Sequence, residues 1–268
     1  MIQSRYYLTI TLLFLFTSCI RNSNERQTDN SYNNQYIELN ETKSFNDNGT
    51  YEYQFKVPTF DDDNLDFINQ FVLESVAKYM DIEKLKNDKS ILNKDKLLTF
   101  VKYHIEQVGL DSYDTDVEHL ELFKKLEIDT LYTIRELLVI VENQESYTGG
   151  AHGAYSTNYF VFDIKNKKLL KTSDIFDLNK LTEIAYDYFL TERGLSKNHV
   201  EIEKEGYWFN DNKFHLNDNF SIDSKNVTFL YNTYEITSYS EGQIIVEIPL
   251  YKLESTIKKE YKYIINKD

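Results

Sequence analysis

A chain of 268 residues with 30 Lys+Arg against 44 Asp+Glu has a formal charge of -14, which argues against nucleic acid as a partner, because polyphosphates are gripped by clustered positive charge. Apolar residues make up 41% and aromatics 15%, including 22 Tyr and 17 Phe, enough for a sizeable core. The single cysteine rules out an intrachain disulfide.

Residues 1–18 read as a signal peptide: Arg5 precedes the apolar run "YYLTITLLFLF", which is too short for the ~20 residues of a membrane-spanning helix. The run ends in Phe16-Thr17-Ser18-Cys19, which resembles the lipobox of bacterial lipoproteins, with Phe16 departing from the usual Leu. Cys19 is therefore expected to carry lipid, placing the protein in the cell envelope, anchored to a membrane and facing the periplasm or the exterior. Residues 19–34 are polar and almost without apolar side chains, so they are expected to form a disordered tether.

From residue 35 the patterning changes. "YIELNETK" and "TYEYQFKVP" alternate apolar with polar residues around Asp47-Asn48-Gly49, the signature of a hairpin. Leu65, Ile68, Phe71, Val72, Val76 and Tyr79 then recur at helical spacing after Asp61-Asp62-Asp63. That acidic run lacks the spacing of a calcium loop and is expected to cap the helix. A second helix is predicted with Leu97, Leu98, Val101, Ile105 and Val108 on one side and Gly109 as its stop, with His104 packed beside the stripe.

From Leu126 the period becomes two. "ELLVIV" is continuously apolar, and "YSTNYFVFDI" sets Phe160 and Phe162 opposite Tyr159 and Val161, which implies strands covered on both faces, with the helices as the expected cover. "TSDIFDLNKLTEIAYDYFLTERG" predicts a helix with Leu181, Ile184, Ala185 and Tyr188 inward and Gly194 at its end; "VTFLY" and "QIIVEIP" predict late strands. Uneven runs of helix and strand argue an α+β fold of two interlocked halves, residues 35–171 and 172–266, with antiparallel or mixed sheets covered by a few helices.

Two segments stand out as resembling a known pair of families. Tyr147 through Gly153, Phe162-Asp163, Asp174-Ile175-Phe176, Phe214, Phe229, Tyr231, Tyr234-Glu235-Ile236, Tyr239, Gly242 and Ile248-Pro249 are similar to the domain-of-unknown-function families 4163 and 3298 of bacterial envelope proteins. Members of this kind include the extracellular region of the lysozyme-sensing anti-sigma factor RsiV and the non-catalytic region of a peptidoglycan deacetylase. The resemblance implies an envelope domain that recognises a lysozyme-like cationic protein or a peptidoglycan-type glycan, without a cofactor. A mature chain beginning at Cys19 would lack the cytoplasmic segment of an anti-sigma factor, and the five histidines His104, His119, His152, His199 and His215 include no His-x-x-x-His pair for a metal.

The candidate binding residues form two groups. Tyr147, Thr148, Gly149, Gly150 and His152 lie in one loop, expected first as a corner where glycines permit positive φ and the imidazole pins main chain. Tyr231, Tyr234, Glu235 and Tyr239 lie in "YNTYEITSYSEG", a mixture of rings and carboxylate suited to sugars or a basic protein. No catalytic residue is assigned. The enzymatic alternative is a peptidoglycan hydrolase or deacetylase using His152 and an acidic residue; separately, Ser146 or Ser156 with His152 and Asp163 offers a Ser-His-Asp trio in which neither serine sits in Gly-x-Ser-x-Gly, and Glu235, Glu241 and Glu247 offer paired carboxylates for glycoside cleavage. A further alternative is a structural envelope lipoprotein.

Overall fold

The computed structural model describes residues 32, 34–45, 49–82, 93–108, 120–196 and 202–265. The signal peptide, Cys19, most of the tether, Asp47-Asn48, Gly109, His119 and His199 lie outside the described residues. Nine strands and four α-helices are described: β1 (Asn34–Phe45), β2 (Gly49–Phe60), α1 (Asp66–Tyr79), α2 (Lys94–Val108), β3 (Leu120–Ile134), β4 (Leu137–Tyr147), β5 (Ala154–Asp163), β6 (Lys168–Leu170), α3 (Thr172–Ile175), α4 (Leu178–Glu192), β7 (Phe220–Ile222), β8 (Asn226–Tyr231) and β9 (Ile244–Pro249). Strands β1 to β6 form one sheet in sequence order, and β7 to β9 form a second. The fold is α+β.

In the larger sheet every neighbouring pair is antiparallel except β2 and β3, which run parallel. A parallel pair needs a crossover, and α1 and α2 occupy that connection. Alternation along β2 sends Tyr51, Tyr53, Phe55 and Val57 under these helices, where they meet Ile68, Val72, Val76, Leu97 and Phe100. Asp62 starts the first helical segment as expected of the aspartate run: its side chain accepts from the Asn64 amide at 2.9 Å.

The second core lies on the opposite face of the same strands. On β4, Leu138 and Ile140 belong to the helix-covered core, whereas Leu137 and Val139 face the other; on β5, Phe162 and Val161 divide in the same way. On β3 the register slips between Thr130 and Tyr132, so the extra residue inverts which side chains point where. Before the slip Leu126 and Ile128 face the helices; after it Tyr132 and Ile134 pack into the second core.

Cover on that second face departs from the expectation that helices alone provide it. Phe220, Ile222, Val227, Phe229, Val246 and Ile248 of the small sheet share this core with Leu181, Ala185 and Phe189 of α4. The predicted single helix from Thr172 is also two. Phe176 is extended and bridges Ile257, and Asp177 starts α4 anew by accepting from the Asn179 and Lys180 amides. Gly194, at φ 68, ends α4 as the sequence suggests.

Candidate functional site

Strands β4 and β5 meet at the glycine-rich corner. Gly149 and Gly150 have φ of 97 and 100, and a Cβ on either would touch nothing, so backbone conformation and not crowding calls for glycine there. At Gly153 the reason differs: a Cβ would sit 2.9 Å from the Ser146 carbonyl oxygen. The Tyr147 hydroxyl closes the corner by donating to the Gly150 carbonyl at 2.9 Å.

His152 lies exposed at this tip, with Nδ1 2.9 Å from the Gly153 carbonyl oxygen. A carbonyl can only accept, which assigns the proton to Nδ1 and leaves Nε2 to accept from the Tyr234 hydroxyl at 3.4 Å. The imidazole stacks on Tyr239 with centroids 4.1 Å apart, and the Tyr239 hydroxyl donates to the same Gly153 carbonyl at 3.1 Å. Tyr155 meets Tyr239 edge-on at 5.8 Å. Two segments more than eighty residues apart thus build one ring cluster, and burial raises the Tyr155 phenol pKa, with Tyr239 adding to it.

Tyr234 is 57% exposed and has φ 64, the left-handed region that is rare for a bulky residue. A tight turn holds it there: the Glu235 amide donates to the Asn232 carbonyl at 3.0 Å, and the Asn232 amide donates to Glu235 Oε2 at 2.8 Å. Glu235 also accepts from Asn217 Nδ2 at 2.7 Å. Its carboxylate pins the turn that presents the neighbouring ring.

Tyr231, expected in the binding group, is withdrawn from the surface. It is 0% exposed and donates its hydroxyl to the His215 carbonyl at 2.6 Å, because β8 alternation points it into the second core beside Phe209. Thr148, Gly149 and Gly150 reach the surface at the tip, and Tyr147 is half-buried against the helix-covered core.

The serine, histidine and aspartate of the enzymatic alternative are not brought together. Ser146 faces Ala154 at the tip, while Asp163 faces Leu137 at the far end of the hairpin, roughly 30 Å away at ~3.3 Å per residue. Asp163 is 2% exposed and accepts from the Asn166 amide and side chain. Of the glutamates, Glu235 is committed to its asparagines and Glu247 sits on β9 opposite Thr228. Among the described residues, the groups hydrogen-bonded to the His152 ring are the Gly153 carbonyl and the Tyr234 phenol.

Sequence reading missed what locks the tip segment to the hairpin. Beyond Val161, β6 no longer covers the edge of β5, and two asparagines take its place. Asn232 Oδ1 accepts from the Thr157 amide at 2.8 Å while its Nδ2 donates to the Thr157 carbonyl at 3.1 Å. Asn219 Oδ1 accepts from the Tyr159 amide at 2.8 Å and its Nδ2 donates to the Thr157 carbonyl at 2.9 Å. Side-chain amides substitute for a neighbouring strand. Polar residues in "LNDNF" and "YNTYE" were the sole trace of this in sequence.

Comparison with known proteins supplies the relatives. Residues 170–251 match the family described as Protein of unknown function (DUF3298). Peptidoglycan-N-acetylmuramic acid deacetylase PdaC of Bacillus subtilis (strain 168) is 23% identical over 245 residues, covering 89% of this chain but 45% of the deacetylase. The chain thus spans about half the length of this curated relative. Among solved structures, a member of the DUF3298 family from Bacteroides fragilis superposes with a TM-score of 0.68 at 22% identity, covering 85% of this chain and 94% of its own. A DUF3298 family protein from Pseudomonas aeruginosa PAO1 gives 0.61 at 16% identity, covering 88% and 98%. These likenesses establish the fold.

Proposed function

We propose that this protein is a non-catalytic cell-envelope lipoprotein, held to a membrane by a lipid on Cys19, that binds a lysozyme-like protein or a peptidoglycan-type glycan through the hairpin tip. The observation that carries this reading is Tyr234: an aromatic side chain held exposed at positive φ by a dedicated turn, beside His152, Tyr239 and Tyr155. Strain at a surface position is maintained only where the surroundings enforce it, and such positions concentrate at ligand contacts. Rings with a polar edge suit both occupants, since they pack on apolar surface and still hydrogen bond.

Two further features support the reading. The formal charge of -14 attracts a cationic protein at long range and predicts a salt-sensitive association. Sequence similarity to part of a peptidoglycan deacetylase brings the glycan into view.

The test pairs a lysis assay with sedimentation. Excess protein should slow the clearing of a cell-wall suspension by lysozyme, and high salt should weaken the inhibition. Purified peptidoglycan should co-sediment the protein if the glycan is the ligand. The double substitution Tyr234→Ala, Tyr239→Ala should abolish whichever effect is seen. Undiminished lysis together with no co-sedimentation would end the proposal.

A further inference from the structure

At the end of the large sheet opposite the hairpin tip, the charge of the chain reverses locally. The turn after β5 and strand β6 bring Lys165, Lys167, Lys168 and Lys171 with no acidic residue among them, and the C-terminal segment adds Lys258, Lys259 and Lys262 against Glu260. The two stretches adjoin: the Lys258 amide donates to the Ile175 carbonyl at 2.8 Å, and the Tyr261 hydroxyl donates to Asp163 at 3.3 Å. The β3–β4 turn, which holds Arg135, lies beside them, its Glu136 carbonyl accepting from the Ile164 amide at 2.9 Å.

Most of the lysine charge is not cancelled. Lys168 is paired with Asp174 at 2.6 Å and Lys165 with Glu136 at 3.5 Å. Lys167, Lys171, Lys258, Lys259 and Lys262 have no carboxylate partner among the described residues. The Lys258 and Lys262 ammonium groups donate to the Ser173 and Glu254 carbonyls, which position them without neutralising them. Arg135 and Lys167 sit in their turns at φ 54 and 50, left-handed positions that glycine or asparagine takes with less strain. Among the lysines, Leu169 is 42% exposed on β6, the last strand of its sheet. A bare leucine flanked by lysines suits an interface where apolar side chains enter lipid while ammonium groups stay among the headgroups.

The way the chain enters the fold picks out the occupant. Strand β1 begins at Asn34, opposite Phe60, and Asn34 Nδ2 donates to Thr130 Oγ1 at 3.3 Å, so the residues leading from Cys19 join this end of the sheet and not the tip. Burial raises the Tyr32 phenol pKa, with Asp62 and Glu136 adding to it, which sets Tyr32 near the same β3–β4 turn. Twelve residues separate Cys19 from Tyr32, a span of at most about 45 Å at ~3.5 Å per residue. The acidic run Asp61–Asp63, just past β2, lies three strands from β5, roughly 14 Å at ~4.8 Å per strand, and the tip is about 30 Å away. Both distances exceed the Debye length of about 10 Å at ~0.1 M salt, so neither masks the lysines.

We propose that this lysine-rich end, built by residues 165–171 and 258–262, rests on the anionic headgroups of the bilayer, so that the fold stands with its hairpin tip pointing away from the membrane. The choice of a bilayer as occupant rests on the proposed lipid at Cys19; the charge itself does not.

Co-sedimentation with lipid vesicles tests it, using the chain from Ile20 onward, which lacks both the signal segment and Cys19. Every residue of the two cores lies between Tyr32 and Ile265, so this chain keeps all of them. Vesicles of phosphatidylcholine mixed with phosphatidylglycerol should retain the protein, vesicles of phosphatidylcholine alone should not, and added salt should release it. The triple substitution Lys167→Gln, Lys171→Gln, Lys259→Gln should weaken retention roughly 100-fold, about fivefold for each lysine, with the melting temperature held. Equal retention on both kinds of vesicle, or retention unchanged in the variant, would overturn the docking face. So would binding to soluble inorganic polyphosphate with none to vesicles, which assigns the lysines to a different polyanion. Such a failure leaves the lipid on Cys19 standing, because acylation is read separately from the mass of the protein extracted from envelopes.

Discussion

The helix-covered core and the hairpin tip each set a histidine against a tyrosine hydroxyl, with different consequences. His104 is 7% exposed, shares a 3.0 Å hydrogen bond with the Tyr53 hydroxyl, and is flanked edge-on by the Tyr51 and Tyr53 rings. His152 has a comparable phenol at 3.4 Å but lies open to solvent. Burial pushes the pKa of His104 down to about 4, helped by Lys124 and opposed by Asp81. Lys124 is itself depressed by burial and donates to the Tyr79 carbonyl at 2.9 Å. The same pair of residue types therefore sits sealed in the core at one place and in an exposed ring cluster at the other, and solvent access sets the difference in what each costs to charge.

Acid should break the comparison first. His104 has a folded pKa of about 4 against an ordinary value of 6.5, so between these values the unfolded chain binds a proton that the folded chain does not. Its contribution is fully present above pH 6.5 and is lost as pH falls toward 4, by up to about 3 kcal/mol. Urea unfolding across this range should show the decline, and His104→Gln, which cannot titrate, should flatten it. An unchanged slope in the variant would remove His104 as the source.

Next in size is the asparagine seam that carries the tip residues. Asn232→Ala leaves the Thr157 amide without its partner and takes the Asn232 Nδ2 bond from the Thr157 carbonyl, so the protein should lose about 2 kcal/mol. Amide exchange at Thr157 should accelerate in step with the fall in melting temperature. Slow exchange at that amide in the variant would show that the edge of β5 is protected by other means.

The smallest effect is expected at the tip. His152→Ala removes one bond to main chain, the long bond from the Tyr234 hydroxyl and one ring stack from an exposed site, and should lower stability by less than about 1 kcal/mol. Thermal melting measures this directly. A loss comparable with the acid effect would make the two histidines alike and undo the distinction between them.

Much of the architecture was legible from periodicity. The spacing of Leu65, Ile68, Val72 and Val76 gave α1, that of Leu97 and Val101 gave α2, and the opposed aromatics of "NYFVFD" marked a strand between two cores. Less legible were features that depend on distant partners. The slip in β3 has no signal of its own, because an extra residue becomes visible only against the strand it fails to match. Helix continuity through Phe176 failed for a similar reason: its partner, Ile257, is 81 residues further on. At the candidate site, the structure brings the loop of Tyr147 to Gly153 against the segment around Tyr239, which no local spacing announces, and buries Tyr231, since strand parity fixes orientation only once the sheet's covered face is known.

Local order followed from the chain alone: alternating and helical spacing, glycines that allow positive φ, and an aspartate beside the amides of a helix start are determined by neighbours a few residues away. Tertiary structure alone decided which histidine is sealed and which is open, which asparagines finish a strand edge, and that Tyr155 and His152 meet Tyr239. Those outcomes depend on solvent exclusion and on hydrogen bonds between groups far apart in sequence, neither of which has a local period.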